Sequence, residues 1–288
     1  MSGLAQALVA AAPEQLDDII LPGPRDERWR YSTLRALNQR TFKTAPTASA
    51  PLGDVLQARI ASLSPRLVFI DGRLDAALSD LVALGDAVTL DASAPSANPP
   101  PHWPFARAAA VAAPTVALRI TAACATPVHL LSITTTAAQD AVVQQSLRVE
   151  LAPGTAASVV HHRIGGTDGT AFVNLWRDLV LADGATLHWL ETADEGERAS
   201  VVLATRAVLA ASARFELGEV AAGAALYRHD LDVTLAGEQA ELVVRGCTMV
   251  TKRRHADVNI DARHRAKHTR ADIVWRGLAD QRGHGILA

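Results

Sequence analysis

From Leu147 to the C-terminus the chain alternates apolar runs with short polar turns, and one phrase keeps returning. It consists of an apolar strand, a turn that opens on Leu-Ala and usually carries glycine, and a second strand. The phrase is read in VELAPGTAASVV (149–160), LVLADGATLHWL (179–190), AVLAASARFELG (207–218), VTLAGEQAELVV (233–244) and, more loosely, GLADQRGHGILA (277–288). The turns recur roughly every 26 to 30 residues, a period that marks a stacked or solenoidal architecture. One strand pair cannot bury its apolar face alone, whereas stacked copies can. Runs such as SVVLATRAVLA (200–210) are apolar almost throughout, which periodicity alone does not distinguish from a buried helix. Their length, their valines and the repeated turns favour strands, and without strand-helix-strand alternation a doubly wound sheet is disfavoured.

Upstream the pattern changes. Leu4, Leu8, Leu16, Ile19 and Ile20 recur at helical spacing among alanines, broken at Pro13 and stopped by LPGP (21–24). Further helices are predicted over 33–40 and 54–63. In LVFIDGRL (67–74), Asp71-Gly72 between apolar runs predicts a hairpin, because both turn positions accept positive φ. TAPTASAP (44–51) reads as a flexible connection and ASAPSANPPP (92–101) as a linker or long surface loop. From Thr115 onward VALRI, VHLLSIT and SLRVEL read as successive strands. The expected organisation is a mostly helical region with a small hairpin over 1–91, a linker over 92–114 and a mainly β core over 115–288.

Composition adds bounds. The 288 residues are 49% hydrophobic and 20% charged with a formal net charge of -2, which describes a soluble globular chain long enough to fold without a staple. Nothing in that balance favours nucleic acid or an anionic membrane. Cys124 and Cys247 lie far apart and form no CxxC, a cytosolic usage. The N-terminal stretch lacks the basic start of a secretory signal, and no apolar run reaches the roughly 18 residues of a membrane span. A cytoplasmic location and no membrane partner are expected.

Histidine is the first candidate for chemistry. His161 and His162 are adjacent in a predicted strand, so their rings point to opposite faces. His264 and His268 are four apart, but Arg265 and Lys267 lie between them and there is no glutamate of the HExxH kind. No metal site is assigned, and solvated or hydrogen-bonded side chains are the reading. The basic run Lys252, Arg253, Arg254, Arg263, Arg265, Lys267 and Arg270 suits phosphates, yet it lacks stacking aromatics and reads as a solvated strip. Asp178, Asp183, Glu191, Glu216, Asp230 and Asp232 read as strand-edge and turn acids unless geometry pairs them. Cys247 reads as a packed strand residue. Trp29 and Tyr31, in a charged frame, read as two aromatics pinning a polar loop on the nearest hydrophobic surface, with a ligand contact as the alternative.

Several stretches in order resemble the SufB/SufD family of iron-sulfur cluster assembly proteins, and its SufD branch in particular. LPGPRDERWRYSTLRAL (21–37) is similar to that family's N-terminal motif through Asp26, Glu27, Trp29, Tyr31 and Leu34. LVFIDGRLDAALSDL (67–81) is similar to its hairpin. The Arg228, His229, Asp230, Leu231 segment resembles its R-H-D-L stretch, and His255, Asp257, His264 and His268 fall at the spacing of its H-x-D-(x)6-H-(x)3-H stretch. The resemblance implies a right-handed parallel β-helix preceded by a small helical region. It also implies a cytoplasmic, non-catalytic scaffold component that works with SufB-like and SufC-like subunits. Relatives continue past the position of Ala288 into an S-H-G motif at the SufB-SufD interface and into SufC-docking helices. The docking regions are therefore expected outside this sequence, and no catalytic, cluster-binding or SufC-binding residue is carried over. No cofactor is expected on the chain alone, the iron-sulfur cluster being assembled only in complex with partners. An uncapped last coil would expose strand edges, so self-association through the C-terminal end is expected. The alternative functions are a β-helix enzyme acting on an acidic polysaccharide, and a nucleic-acid module using 252–270.

Overall fold

A computed structural model describes residues 3–10, 19–23, 25–32, 34–46, 51–80, 82, 85–94, 98–166 and 169–288. Its helices are α1 (Gly3–Ala10), α2 (Arg35–Asn38), α3 (Asp54–Ala61) and α4 (Pro104–Ala112). The early strands are β1 (Lys43–Thr44), β2 (Arg66–Ile70), β3 (Arg73–Asp80), β4 (Val88–Ala94), β5 (Thr115–Ile120) and β6 (Val128–Thr134). The long ones follow as β7 (Ala141–Leu151), β8 (Ala156–Gly165), β9 (Phe172–Leu181), β10 (Thr186–Asp194), β11 (Ser200–Leu209) and β12 (Arg214–Ala222). β13 (Leu226–Leu235), β14 (Glu241–Val250), β15 (His255–His264), β16 (Arg270–Ala279) and β17 (His284–Leu287) complete the set.

From β5 onward the chain passes back and forth between two sheets. Sheet A runs β17-β15-β13-β11-β9-β7-β5-β4 with β1 beside β7, and sheet B runs β16-β14-β12-β10-β8-β6-β2-β3. Each strand pairs in parallel with the one two positions on, as β9 does with β11 and β10 with β12, which makes a mainly β solenoid of about six turns. Antiparallel pairs occur where β3 meets β2 and β4 meets β5, at the N-terminal end of the stack. There they occupy edges that would otherwise present open backbone groups.

The two sheets differ in what covers them. β9, β11 and β13 are buried along almost their whole length, whereas β10 and β12 alternate buried and exposed positions. The cause is a layer over the outer face of sheet A. Leu4 and Leu8 of α1, with Trp29, Leu34 and Leu37, pack on Phe105, Phe172, Val202 and Leu226. Parallel strands covered on both faces read as continuous apolar runs, which explains SVVLATRAVL in β11.

Residues 104–112, inside the predicted linker, form α4, and Val88–Ala94 runs β4 into its start. Phe105, Ala106 and three further alanines of α4 are buried, and Trp103 packs with Ala106 and Ala109 against Trp176 and Ala204. Alanine is the best helix former and lets a helix lie close to a sheet. The proline-rich approach to it hid that signal. Of the first predicted helix Gly3–Ala10 forms α1, and Ile19 and Ile20 are not helical. Pro13, Leu16, residues 47–50 and residues 95–97 lie outside the described residues. The Asp71-Gly72 hairpin forms as expected, with φ of 47° and 84°. A Cβ on Gly72 would lie 2.1 Å from the Gln144 carbonyl oxygen, so only glycine fits.

The Leu-Ala turns form one corner of the solenoid, from sheet A to sheet B. Gly154, Gly184, Ser212, Gln239 and His268 hold the left-handed position there, with φ between 54° and 67°. The N–H groups of the first four donate to carbonyls of the next coil, as Gly154 does to Asp183 and Gly184 to Ala211, both at 2.8 Å. GLADQRGHGILA is out of phase with this series. It leads from β16 to β17, from sheet B to sheet A, and the fifth member of the corner is the turn between β15 and β16 that carries His268. Both corners use a positive-φ turn, so glycine-bearing turns recur at either one and the pattern does not reveal its phase. Among the described residues no helix is long and apolar enough to cross a membrane.

Candidate functional site

Strand alternation decides where the family-like residues point. In β13, Arg228 and Asp230 face the outer layer over sheet A, while Tyr227 and His229 face the interior. Parallel register then sets Arg228 beside Asp257 and Leu226 beside His255. The Arg228 guanidinium is 1% exposed, grips both oxygens of Asp230 at 2.7 and 2.9 Å, and reaches Asp257 Oδ2 at 2.5 Å. It lies 3.9 Å over the Trp29 ring, which packs in turn on Phe105. Burial raises the Asp230 pKa against the pull of Arg228.

The loop before α2 is fastened at a second point. Ser32 Oγ donates to Asp257 Oδ2 at 2.5 Å and lies 2.8 Å from His255 Nε2. Since the serine hydrogen goes to the carboxylate, His255 must donate from Nε2. Its bare Nδ1 faces Nδ1 of His284 on the neighbouring strand at 3.1 Å, with the rings stacked 5.1 Å apart. Burial depresses the His255 pKa, partly offset by Asp257. Asp26 accepts from the Arg28 N–H and caps the short helical turn Glu27–Trp29, while Glu27 is exposed beside Arg30. Tyr31 is 58% exposed, so of the two aromatics Trp29 alone pins the loop. One charge-pairing side chain, Arg228, gives Trp29 a partner, while the exposed Tyr31 has Arg30 over its ring at 5.5 Å.

The remaining motif residues do not join this cluster. His264 ends β15, about 30 Å from His255 at the usual rise per residue. It bonds Thr269 across the corner turn, and His268 sits exposed in that turn. His229 lies inside the solenoid, where it belongs to a polar band between two apolar clusters.

That interior band was missed in the sequence. Arg177 donates to Glu191 from Nη1 and to Thr205 Oγ1 from Nε at 3.1 Å. Thr205 lies 3.0 Å from His229 Nε2, and Glu219 Oε2 lies 2.8 Å from His229 Nδ1. Together these partners assign the His229 proton to Nδ1. Tyr227 donates to the other oxygen of Glu219, and its ring lies under Arg163 at 4.9 Å. Arg163 faces Glu191 at 3.0 Å and Glu195 at 3.3 Å. His161 donates to Ser132 Oγ at 2.8 Å, since that hydroxyl donates to Gln145. Burial drives the His161 pKa down to about 3, more than Glu191 at 3.8 Å raises it, so the ring is neutral. Burial, reinforced by Glu191, raises Glu195 to about 7 despite Arg163. Burial also works to raise Glu191, but Arg177 and Arg163 outweigh it and hold the carboxyl well below the usual range.

These contacts correct the reading of four of the six acids as strand-edge and turn residues, while Asp183 does lie exposed in a corner turn. Glu191, Asp178, Asp230 and Asp232 are all buried. Asp178 pairs with Arg206 at 2.7 Å, Asp232 with Arg263 at 2.7 Å, and the half-exposed Glu216 with Arg214 and His188. The available signal was a charge at an inward position of an otherwise apolar alternation, as at Glu191 in TLHWLETAD. The basic run is also dispersed, with Lys252 and Arg254 on Glu197 at one corner and Arg263 on sheet A. Among the described residues, no group of three or more histidines, cysteines or acids could hold a metal ion.

A sequence-family model described as SUF system FeS cluster assembly, SufBD core domain, matches residues 133–288. Iron-sulfur cluster assembly protein SufD of Escherichia coli (strain K12) is 25% identical over 277 residues, which are 93% of this chain and 64% of that relative. The chain thus spans a little under two thirds of the relative's length.

Proposed function

Since the chain belongs to the SufBD core domain family of the SUF FeS cluster assembly system, we propose that it acts as a SufD-like, non-catalytic scaffold component of that machinery. Its partners on this reading are SufB-like and SufC-like subunits, and any cluster is assembled in the complex. The observation that supports it is the use made of the motif residues. Arg228, Asp230, Asp257, Ser32 and Trp29 are all engaged with one another and join the N-terminal loop to the solenoid. Groups engaged in this way hold surfaces in place rather than turn over a substrate. Of the six acids weighed for a sugar-cleaving β-helix, Asp178, Glu191, Glu216, Asp230 and Asp232 are likewise held by arginines, and Asp183 accepts the Ala211 N–H in a corner turn. Free Cys124 and Cys247 agree with a reducing cytoplasm.

Co-expression with SufB-type and SufC-type subunits tests the reading. Stoichiometric co-purification is expected, with iron and sulfide in the complex and none on this chain alone. If neither subunit associates, even with the chain extended to the full length of its relatives, the scaffold reading fails.

A further inference from the structure

We infer that His255 and His284 form a two-nitrogen site for a divalent first-row transition ion of the copper, nickel or zinc class. Parallel register sets the two residues directly side by side on the outer face of sheet A. Their Nδ1 atoms are 3.1 Å apart on nearly parallel rings inclined by 24°. Metal-to-imidazole bonds of about 2.0–2.1 Å, at angles between square and tetrahedral, require nitrogens about 2.8–3.4 Å apart. The pair therefore has the bite of a chelate before any ion arrives.

The chain behind His255 is that of a ligand. A metal-bound histidine usually gives its other N–H to a carboxylate, a backbone carbonyl or water, which fixes tautomer and ring orientation, and a serine held by a carboxylate can take that place. Here Asp257 holds Ser32, and Ser32 accepts from His255 Nε2. The Nδ1 lone pair is thereby fixed toward His284. His284 is exposed, so its Nε2 can carry the ring hydrogen in water while Nδ1 turns its lone pair to an ion. Arg228 lies nearby, but Asp230 and Asp257 neutralise it. The protein supplies two ligands, and water or a partner residue completes the coordination.

A second stacked pair provides an internal control. His129 Nδ1 and His162 Nε2 are 3.2 Å apart on sheet B. No carboxylate backs that pair among the contacts of the described residues, and the charge of Arg59 faces His162. Geometry alone would let both pairs bind, whereas the backing groups select His255 and His284.

Titration of the whole chain with Cu²⁺, followed by calorimetry and by electron paramagnetic resonance, tests the assignment. One tight equivalent with a two-nitrogen signature is expected. His284→Ala should weaken it at least about tenfold, and Ser32→Ala, which keeps both ligands, by about 10- to 100-fold. His162→Ala should leave it unchanged, with circular dichroism confirming the fold of each variant. Unaltered binding in His284→Ala, or loss of the tight equivalent in His162→Ala, would overturn the site.

Discussion

Arg228 and Arg163 are both buried arginines on the same solenoid, yet they sit in opposite kinds of surroundings. Arg228, on the outer face of sheet A, has two carboxylates and the face of Trp29, and its bonds to Asp230 are well formed at 2.7 and 2.9 Å. Arg163, in the interior, is close to Glu191 and Glu195, but among the described residues its nitrogens make no hydrogen bond of good geometry. Glu195 is left with the raised pKa noted above. The outer cluster joins segments about 200 residues apart, as the 225-residue separation of Ser32 and Asp257 shows. The interior band joins neighbouring coils that register already holds. One is a fastener, and the other is a tolerated polar seam.

The contrast predicts the largest loss at the outer arginine. Arg228→Ala strands the carboxylates of Asp230 and Asp257 in a buried layer, and breaking such a pair costs about 3–5 kcal/mol. Urea denaturation should show a fall of that size. A loss under about 1 kcal/mol would mean that the cluster is solvated rather than fastened.

The interior seam should respond in the opposite direction. The Glu195 pKa is raised in the fold from 4.5 to about 7, under burial, Glu191 and Asp194 against Arg163. Native protein therefore holds more protons than unfolded protein across that window, and stability falls as pH rises through it. Glu195→Gln should gain on the order of 3 kcal/mol at pH 8 and nothing below about pH 4.5. His161 acts with the other sign. Its folded value of about 3 lies below the usual 6.5, so its contribution is lost as pH falls from about 6.5 toward 3. These two contributions oppose each other between about pH 4.5 and 6.5 and cancel there, so that Glu195→Gln should uncover the rise of stability with pH that His161 contributes. Melting temperatures of wild type and Glu195→Gln from pH 4 to 8 check both signs.

A smaller effect is expected at the end of the seam. The sheet B positions His161, Glu191, Glu219 and Gly246 follow one another in register, and Trp275 comes next. A Cβ on Gly246 would lie 2.1 Å from the Trp275 ring, which folds over the glycine. Gly246→Ala should cost about 1–3 kcal/mol through that clash and change the tryptophan fluorescence. An unchanged emission spectrum would show that the ring does not rest there.

How much of this the sequence carried depends on the length scale. The stacked strands, their shared corner and the Asp71-Gly72 turn were legible because period, alternation and positive φ are local. The phase of GLADQRGHGILA was not, since both corners use similar turns. Helix α4 was obscured by the prolines before it. At the site, Trp29, Arg228 and Asp257 were legible as motif members, but their meeting depends on register between distant coils. Ser32 lay inside the motif and His284 inside the last turn phrase, but nothing local showed that they meet Asp257 and His255. Arg177 was passed over because β9 is buried on both faces, which disguises which of its residues point inward, whereas Arg163 and Glu219 stood as charges at inward positions of the alternating strands β8 and β12.

The fastening of the N-terminal loop to the outer face can be measured directly by hydrogen exchange over residues 26–32. The Trp29 and Ser32 amides donate to Asp26 and Trp29 within that loop. Removing the Ser32 hydroxyl takes away a bond to a charged group, about 1.5–3 kcal/mol, or roughly tenfold or more in opening. Ser32→Ala is expected to exchange at least about tenfold faster across 26–32 while β9–β12 keep their protection. Equal exchange of the loop in wild type and variant would contradict it.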